Sequence, residues 1–162
     1  MSALIIRRAS DSEISMLRSI ANYQFGYPAG ELLVPDDAIV AVSPTTRRIR
    51  EVHGEEGLLA VLRAHDYLFS LSVKGAQRLL RLEEPRLRAK LRVPGDELKT
   101  KSINCRLVAE IDPELLPGDE VIVIGSDGRL IGVGRLRLSP SEVSEPKCWG
   151  EAIRLRHRAE KT

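Results

Sequence analysis

The sequence is poor in aromatics, at 4%, and holds only two cysteines, Cys105 and Cys148, and three histidines, His53, His65 and His157. With no Cys/His cluster around the thiols, a four-ligand structural zinc site is excluded, and one bridge is the most the cysteines can form. No apolar run approaches the roughly 18 residues needed to cross a bilayer. The opening Met1 to Ser10 carries Arg7 and Arg8 after a brief Leu4-Ile5-Ile6 patch, so neither a membrane span nor a secretory leader is read there. Side-chain amides are confined to Asn22, Asn104, Gln24 and Gln77, a composition that, with abundant Arg and Glu, is typical of heat-adapted proteins. Together these absences describe a reduced, cytoplasmic chain that needs no metal or cofactor.

What is present is enough for a core: 162 residues, 43% hydrophobic and 30% charged, fit one or two compact domains rather than a disordered polymer. The net charge of +2 conceals an uneven distribution. Residues 1–73 hold 7 bases and 9 acids, 74–106 hold 10 and 4, 107–128 hold 0 and 6, and 129–162 hold 8 and 4. Basic charge therefore concentrates in the second half, which is where a polyanion would be met.

Ser10-Asp11-Ser12-Glu13 offers a capping box, and Ile14, Leu17, Ile20 and Ala21 then recur at helical spacing, which predicts a helix from about Asp11 to Tyr23. Gly26, Pro28, Gly30 and Pro35 interrupt the chain before a strand at Ala38–Val42. Strands at Arg48–His53, Leu58–Arg63 and Leu68–Val73 and a helix at Gly75–Leu82 complete an α+β unit over 1–83. Glu83-Glu84-Pro85 is the natural boundary. Residues 84–162 read as a small, mostly-β pseudo-barrel with strands at Arg86–Val93, Asn104–Ile111, Glu120–Ile124, Arg129–Leu138 and Ala152–Arg158. No internal repeat or low-complexity stretch is visible.

Side chains alternate across a strand, so Arg86, Arg88, Lys90 and Arg92 share one face, opposite Leu87, Ala89, Leu91 and Val93. The same alternation sets Arg135 and Arg137 against Leu136 and Leu138, and Arg154, Arg156 and Arg158 against Ile153 and Leu155. For any one strand, a solvated face is the ordinary explanation. Three such strands would repel one another, and the strands themselves supply no acid, the acid-rich run Glu110 to Asp127 sitting mainly on turns; an external polyanion would relieve the repulsion. RNA is favoured over DNA because neither a recognition helix nor a zinc finger is present. The candidate contacts are Arg88, Lys90 and Arg106, then Arg135, Arg137 and Lys147, then Arg154, Arg156 and Arg158. Trp149 is the one plausible stacking residue in the basic half, against the commoner core role of a lone Trp.

Leu116-Pro117-Gly118-Asp119-Glu120-Val121-Ile122-Val123, followed by Asp127-Gly128-Arg129-Leu130-Ile131-Gly132-Val133-Gly134-Arg135, resembles the PUA domain of pseudouridine synthases and archaeosine transglycosylases. Pro-Gly-Asp turns into a strand, Asp-Gly makes a hairpin, and the Gly132/Gly134 pair permits close strand packing. A dinucleotide fingerprint fails, because Arg137 stands at the third glycine position and strand follows rather than helix. Upstream, Asn22-Tyr23-Gln24-Phe25-Gly26, Ala29-Gly30-Glu31 and Asp66-Tyr67-Leu68-Phe69-Ser70-Leu71 resemble the region preceding PUA in archaeal tRNA-guanine transglycosylase and archaeosine synthase. The resemblance covers nearly the whole chain and implies a cytoplasmic archaeal protein equivalent to the non-catalytic C-terminal part of those enzymes, which engages folded tRNA. It leaves no room for their catalytic barrel or cysteine-rich zinc site. Where PUA domains place a glycine close to RNA, this chain has Asp96–Asn104 with no glycine after Gly95; Lys99, Lys101 and Ser102 are the residues there able to meet phosphate.

Catalytic constellations are weak. Cys148 and His157 lack an orienting third group, and neighbouring arginines keep His157 neutral. Asp36-Asp37, Glu55-Glu56 and His65-Asp66 read as solvated or turn pairs. The expectation is a non-enzymatic RNA-binding protein, probing structured tRNA or rRNA through its second domain. The alternative is an accessory subunit docking on a tRNA-modifying enzyme through its first.

Overall fold

The computed structural model describes residues 3–160, so Met1 and Ser2, the start of the stretch read as carrying no leader, lie outside it. Two compact units result, Met1–Leu82 and Glu83–Thr162. Among the described residues, no helix is long and apolar enough to cross a membrane.

The first unit contains β1 (Ile5–Arg8), α1 (Asp11–Phe25), α2 (Ala29–Leu33), β2 (Ile39–Val42), β3 (Ile49–Gly54), β4 (Gly57–Leu62), β5 (Phe69–Leu71) and α3 (Val73–Leu79). Its five strands form an antiparallel sheet in sequence order. The capping box is real: the Glu13 amide donates to Ser10 Oγ at 3.2 Å, and Ser10 N–H donates to Glu13 Oε1 at 2.9 Å. Arg7 clamps the same carboxylate, and this ion pair above all holds the Glu13 pKa down at about 2. The helix runs two residues beyond the predicted Tyr23, because Phe25 continues the buried stripe of Ile14, Leu17 and Ala21 before Gly26 ends it at φ 89°. Gln24 then acts as a strand partner for β5, donating to Phe69 O at 2.9 Å and accepting from Phe69 N–H at 2.7 Å. Two elements were not foreseen, β1 and α2. Val73, expected in a strand, starts α3 because Ser72 Oγ caps the helix by accepting from Gly75 N–H at 3.1 Å.

The second unit contains β6 (Arg88–Leu91), β7 (Ser102–Asn104), β8 (Val108–Ile111), β9 (Glu120–Ile124), β10 (Leu130–Leu136), α4 (Pro140–Val143) and β11 (Glu151–Arg158), with single 3₁₀ turns at Gly95–Glu97 and Cys105–Leu107. The sheet order is β7-β11-β10-β9-β6-β8, antiparallel except where β6 meets β9. Leu91, Ile103, Ile122, Leu136 and Ile153 are fully buried at its centre. The single strand expected over Asn104–Ile111 is broken by Asn104, whose Oδ1 accepts from Arg106 N–H at 2.9 Å and starts the 3₁₀ turn.

The thiols are not reduced. Cys105 and Cys148 form a disulfide, since the β7–β11 pairing and a bond from Cys105 N–H to Gly150 O at 2.9 Å bring their Cα atoms to 6.2 Å.

Candidate nucleic-acid interface

The platform is the β9–β10–β11–β7 part of the second sheet. Chain entry into β9 is set by the Pro117-Gly118-Asp119 turn: Gly118 adopts φ 95°, and Asp119 Oδ2 accepts from Leu116 N–H at 2.8 Å. The β9–β10 connection turns at Gly128, φ 81°, with Asp127 Oδ1 accepting from Arg129 N–H at 3.1 Å. β10 lies unusually close to β11. A Cβ on Gly132 would sit 2.2 Å from the His157 carbonyl oxygen, and one on Gly134 2.1 Å from that of Arg154. Only glycine permits this approach.

Register then assembles a polar row across four strands: Glu120 on β9 faces Arg135 on β10, Arg135 faces Arg154 on β11, and Arg154 faces Ser102 on β7. Arg156, left without a partner residue at the irregularity in the β10–β11 ladder, reaches the same carboxylate. Glu120 is only 1% exposed at its side chain; Arg156 donates to both its oxygens and Arg135 Nε stands 3.8 Å away. This corrects the expectation that the strands supply no acid. A single charge on an otherwise apolar, buried strand must find a partner, and that was the signal Glu120 carried in the sequence.

Solvent-exposed cations lie in and beside this row. Arg154 is 58% exposed, with Glu151 no nearer than 3.9 Å. Arg158 spends its donors on main chain, Leu98 O at 2.7 Å and Gly95 O at 2.8 Å, fixing the loop where the family's glycine would be while keeping its positive charge. That loop presents exposed Lys99 and Lys101 and half-buried Ser102. His157 sits among them, its pKa lowered first by burial, then by Arg156 and Lys101.

The hairpin and glycine pair are matched by family comparison: residues 97–158 match the PUA domain, and residues 15–85 match the patch-forming domain C2 of tRNA-guanine transglycosylase. This chain is a PUA-domain protein. It is similar to the C-terminal part of archaeal proteins named tRNA-guanine(15) transglycosylase. Identity is 30% over 147 residues with that of Methanothermobacter thermautotrophicus, covering 89% of this chain and 22% of the relative. It is 32% over 159 residues with that of Methanosphaera stadtmanae, covering 94% and 23%. The chain thus spans about a quarter of the length of the curated relatives it matches. In fold it is similar to a hypothetical protein of Pyrococcus horikoshii, with TM-score 0.68 at 17% identity, covering 97% and 96% of the two chains. A conserved PUA domain protein from Thermoplasma acidophilum superposes at TM-score 0.66 and 15% identity, covering 97% and 95%.

Other expected contacts of the PUA domain lie elsewhere on it. Arg88 is 8% exposed, so the outward exposure predicted for it is corrected. Lys90, exposed on the same strand, stands opposite Glu110 and outside the arginine row. Arg106 and Lys147 are exposed near the disulfide, where Arg106 Nε points to Cys148 O at 3.4 Å, and Arg137 is exposed beyond the end of β10. Trp149, 86% exposed beside the disulfide, is no core residue. Among the described residues, no group of three or more His, Cys, Asp or Glu side chains is placed to hold a metal.

Proposed function

We propose that this chain is a non-catalytic RNA-binding protein of tRNA modification, acting in the cytoplasm and holding structured tRNA on the β10–β11–β7 face of its PUA domain. The observation that carries the reading is the cation set Lys99, Lys101, Arg154 and Arg158 gathered along the Arg135–Arg154–Ser102 row, with the exposed Arg154 fork suited to phosphate. Family membership adds the tRNA-modification context. Trp149 offers a second contact, its ring open to an unstacked base and Lys147 and Arg106 close by for phosphate. The test is binding of purified protein to folded tRNA and to charge-matched duplex DNA across salt. Preferential tRNA binding that weakens linearly in log salt, and a slope made shallower in Lys101→Gln/Arg154→Gln by about 0.9 per lost duplex phosphate contact, support it. Equal affinity of that variant and the native protein refutes the face.

One observation favours a second reading, docking on a tRNA-modifying enzyme. β1 is an edge strand carrying exposed Ile5 and Ile6, with exposed Leu4 just before it, a template for strand addition. A stable complex recovered in native pull-downs and lost in Ile6→Lys supports it; a chain recovered alone removes it.

A further inference from the structure

The β2–β3 and β4–β5 connections of the first unit are built alike. In one, Arg47 N–H donates to Ser43 O and Ser43 N–H to Arg48 O, both at 2.9 Å; in the other, Tyr67 N–H donates to Arg63 O at 3.0 Å and Arg63 N–H to Leu68 O at 2.9 Å. Thr46 Oγ1 accepts from Arg48 N–H at 3.3 Å, and Asp66 Oδ1 from Leu68 N–H at 3.0 Å, the same bond at the same loop position. In each loop the residue before the last is left-handed, Arg47 at φ 64° and Tyr67 at φ 58°. Glycine adopts that conformation without strain, whereas other residues give up roughly 1–2 kcal/mol. Both loops nevertheless hold a large, exposed side chain there.

The two loops meet through the neighbour of Arg47. The Arg48 guanidinium lies over the Tyr67 ring, 5.1 Å from its centroid. Arg47 and Arg48 are exposed, and among the described residues neither guanidinium has a side-chain hydrogen bond or an ion pair. Two further guanidiniums stand behind them with buried donors unmet: Nη1 of Arg63, whose side chain is 12% exposed, and Nε of Arg50. Asp66, held by Arg63 Nε at 3.2 Å, is the acid within the loop pair. Strained backbone, an arginine stacked on an aromatic ring, and two exposed guanidiniums without an ion pair at one pair of loop tips converge on an anionic ligand with a flat face.

We propose that the paired loop tips form a second RNA-binding site: Arg47 and Arg48 hold successive phosphates, and an unpaired base stacks on the outer face of the Arg48 guanidinium over Tyr67. Planar guanidinium takes phosphate through its edge and a base on its face, so Arg48 does both while Tyr67 supports it from beneath. The site rests on the RNA-binding reading above and extends it to the first unit, where nothing in the charge count of residues 1–73 indicated a polyanion.

Glycine is the informative substitution, because it removes the contacting side chain and relieves the backbone at once. In folded-tRNA titrations across salt, Arg47→Gly with Arg48→Gln is expected to weaken binding roughly tenfold and flatten the log–log salt slope by about 1.4 for two single-strand phosphates. Tyr67→Gly weakens binding with little change of slope. The melting temperatures of the single variants Arg47→Gly and Tyr67→Gly stay level or rise. Arg81→Gln, an exposed cation elsewhere in the unit, leaves affinity within twofold. If the tip variants bind as the native protein does while Arg154→Gln loses affinity, the tip site is refuted and the PUA face stands. If the native protein binds no RNA, both fall.

Discussion

Glu120→Gln separates stability from binding, because its carboxylate does opposite things for each. The side chain is buried and takes two charge-assisted hydrogen bonds from Arg156, with Arg135 a further 3.8 Å off. The amide is nearly isosteric but neutral, so each bond falls from the charged range to the neutral one, about 1 kcal/mol apiece and about 2 kcal/mol in all. For a unit of the size Glu83–Thr162, this lowers the melting temperature by about 8–16 °C. Binding moves the other way. One negative charge leaves the end of the arginine row and frees Arg156 for a further phosphate, so the salt slope steepens by about 0.9. Removing a carboxylate two strand spacings, about 10 Å, from a phosphate held by Arg154 gains about 0.4 kcal/mol even at the dielectric of water, roughly twofold in affinity. Differential scanning calorimetry and fluorescence anisotropy on the same preparations read both signs. A folded variant whose tRNA affinity and salt slope match the native protein would refute the idea that phosphates lie along this row.

Gly134→Ala puts a methyl 2.1 Å from Arg154 O and 2.8 Å from Leu155 Cα, backbone that cannot rotate away, and is expected to cost about 3 kcal/mol or more by urea unfolding; Gly118→Ala, with nothing within 4 Å but φ 95°, should lose only about 1–2 kcal/mol. Reducing Cys105–Cys148 frees a loop with sequence separation 43, which by chain entropy removes about 4 kcal/mol; a melting temperature insensitive to dithiothreitol would show the bond adds nothing. His157 has a pKa lowered by burial and by Arg156 and Lys101, and a nearby phosphate raises it again. RNA affinity should therefore climb as pH falls through the bound-state pKa and level off below the free one, with His157→Gln flat over the same range. The stability contribution has the opposite sense: it is fully present above the ordinary value near 6.5 and is lost as pH falls below that.

Local rules were sufficient where one stretch of chain contains its own partners. The Ser10/Glu13 box starts α1, and the Pro117-Gly118-Asp119 and Asp127-Gly128 turns delimit β9 and β10, because caps and turns close within four residues. The glycines of β10 likewise announced a close approach, though not to which strand. What needed tertiary structure was everything decided by a distant neighbour. Arg88 and Arg154 sit in the same alternating pattern, each on a strand with a neighbour on both sides, yet one is buried and the other exposed. Period-two alternation states that two faces differ; it does not state which face water sees. Glu120 finds Arg156 36 residues away, and Cys105 finds Cys148 43 residues away. The sequence by itself therefore determined the family, the turns and the basic character of the second unit. Register and strand order decided which cations are neutralised within the protein and which remain for a partner, because an ion pair depends on distance in space and not along the chain.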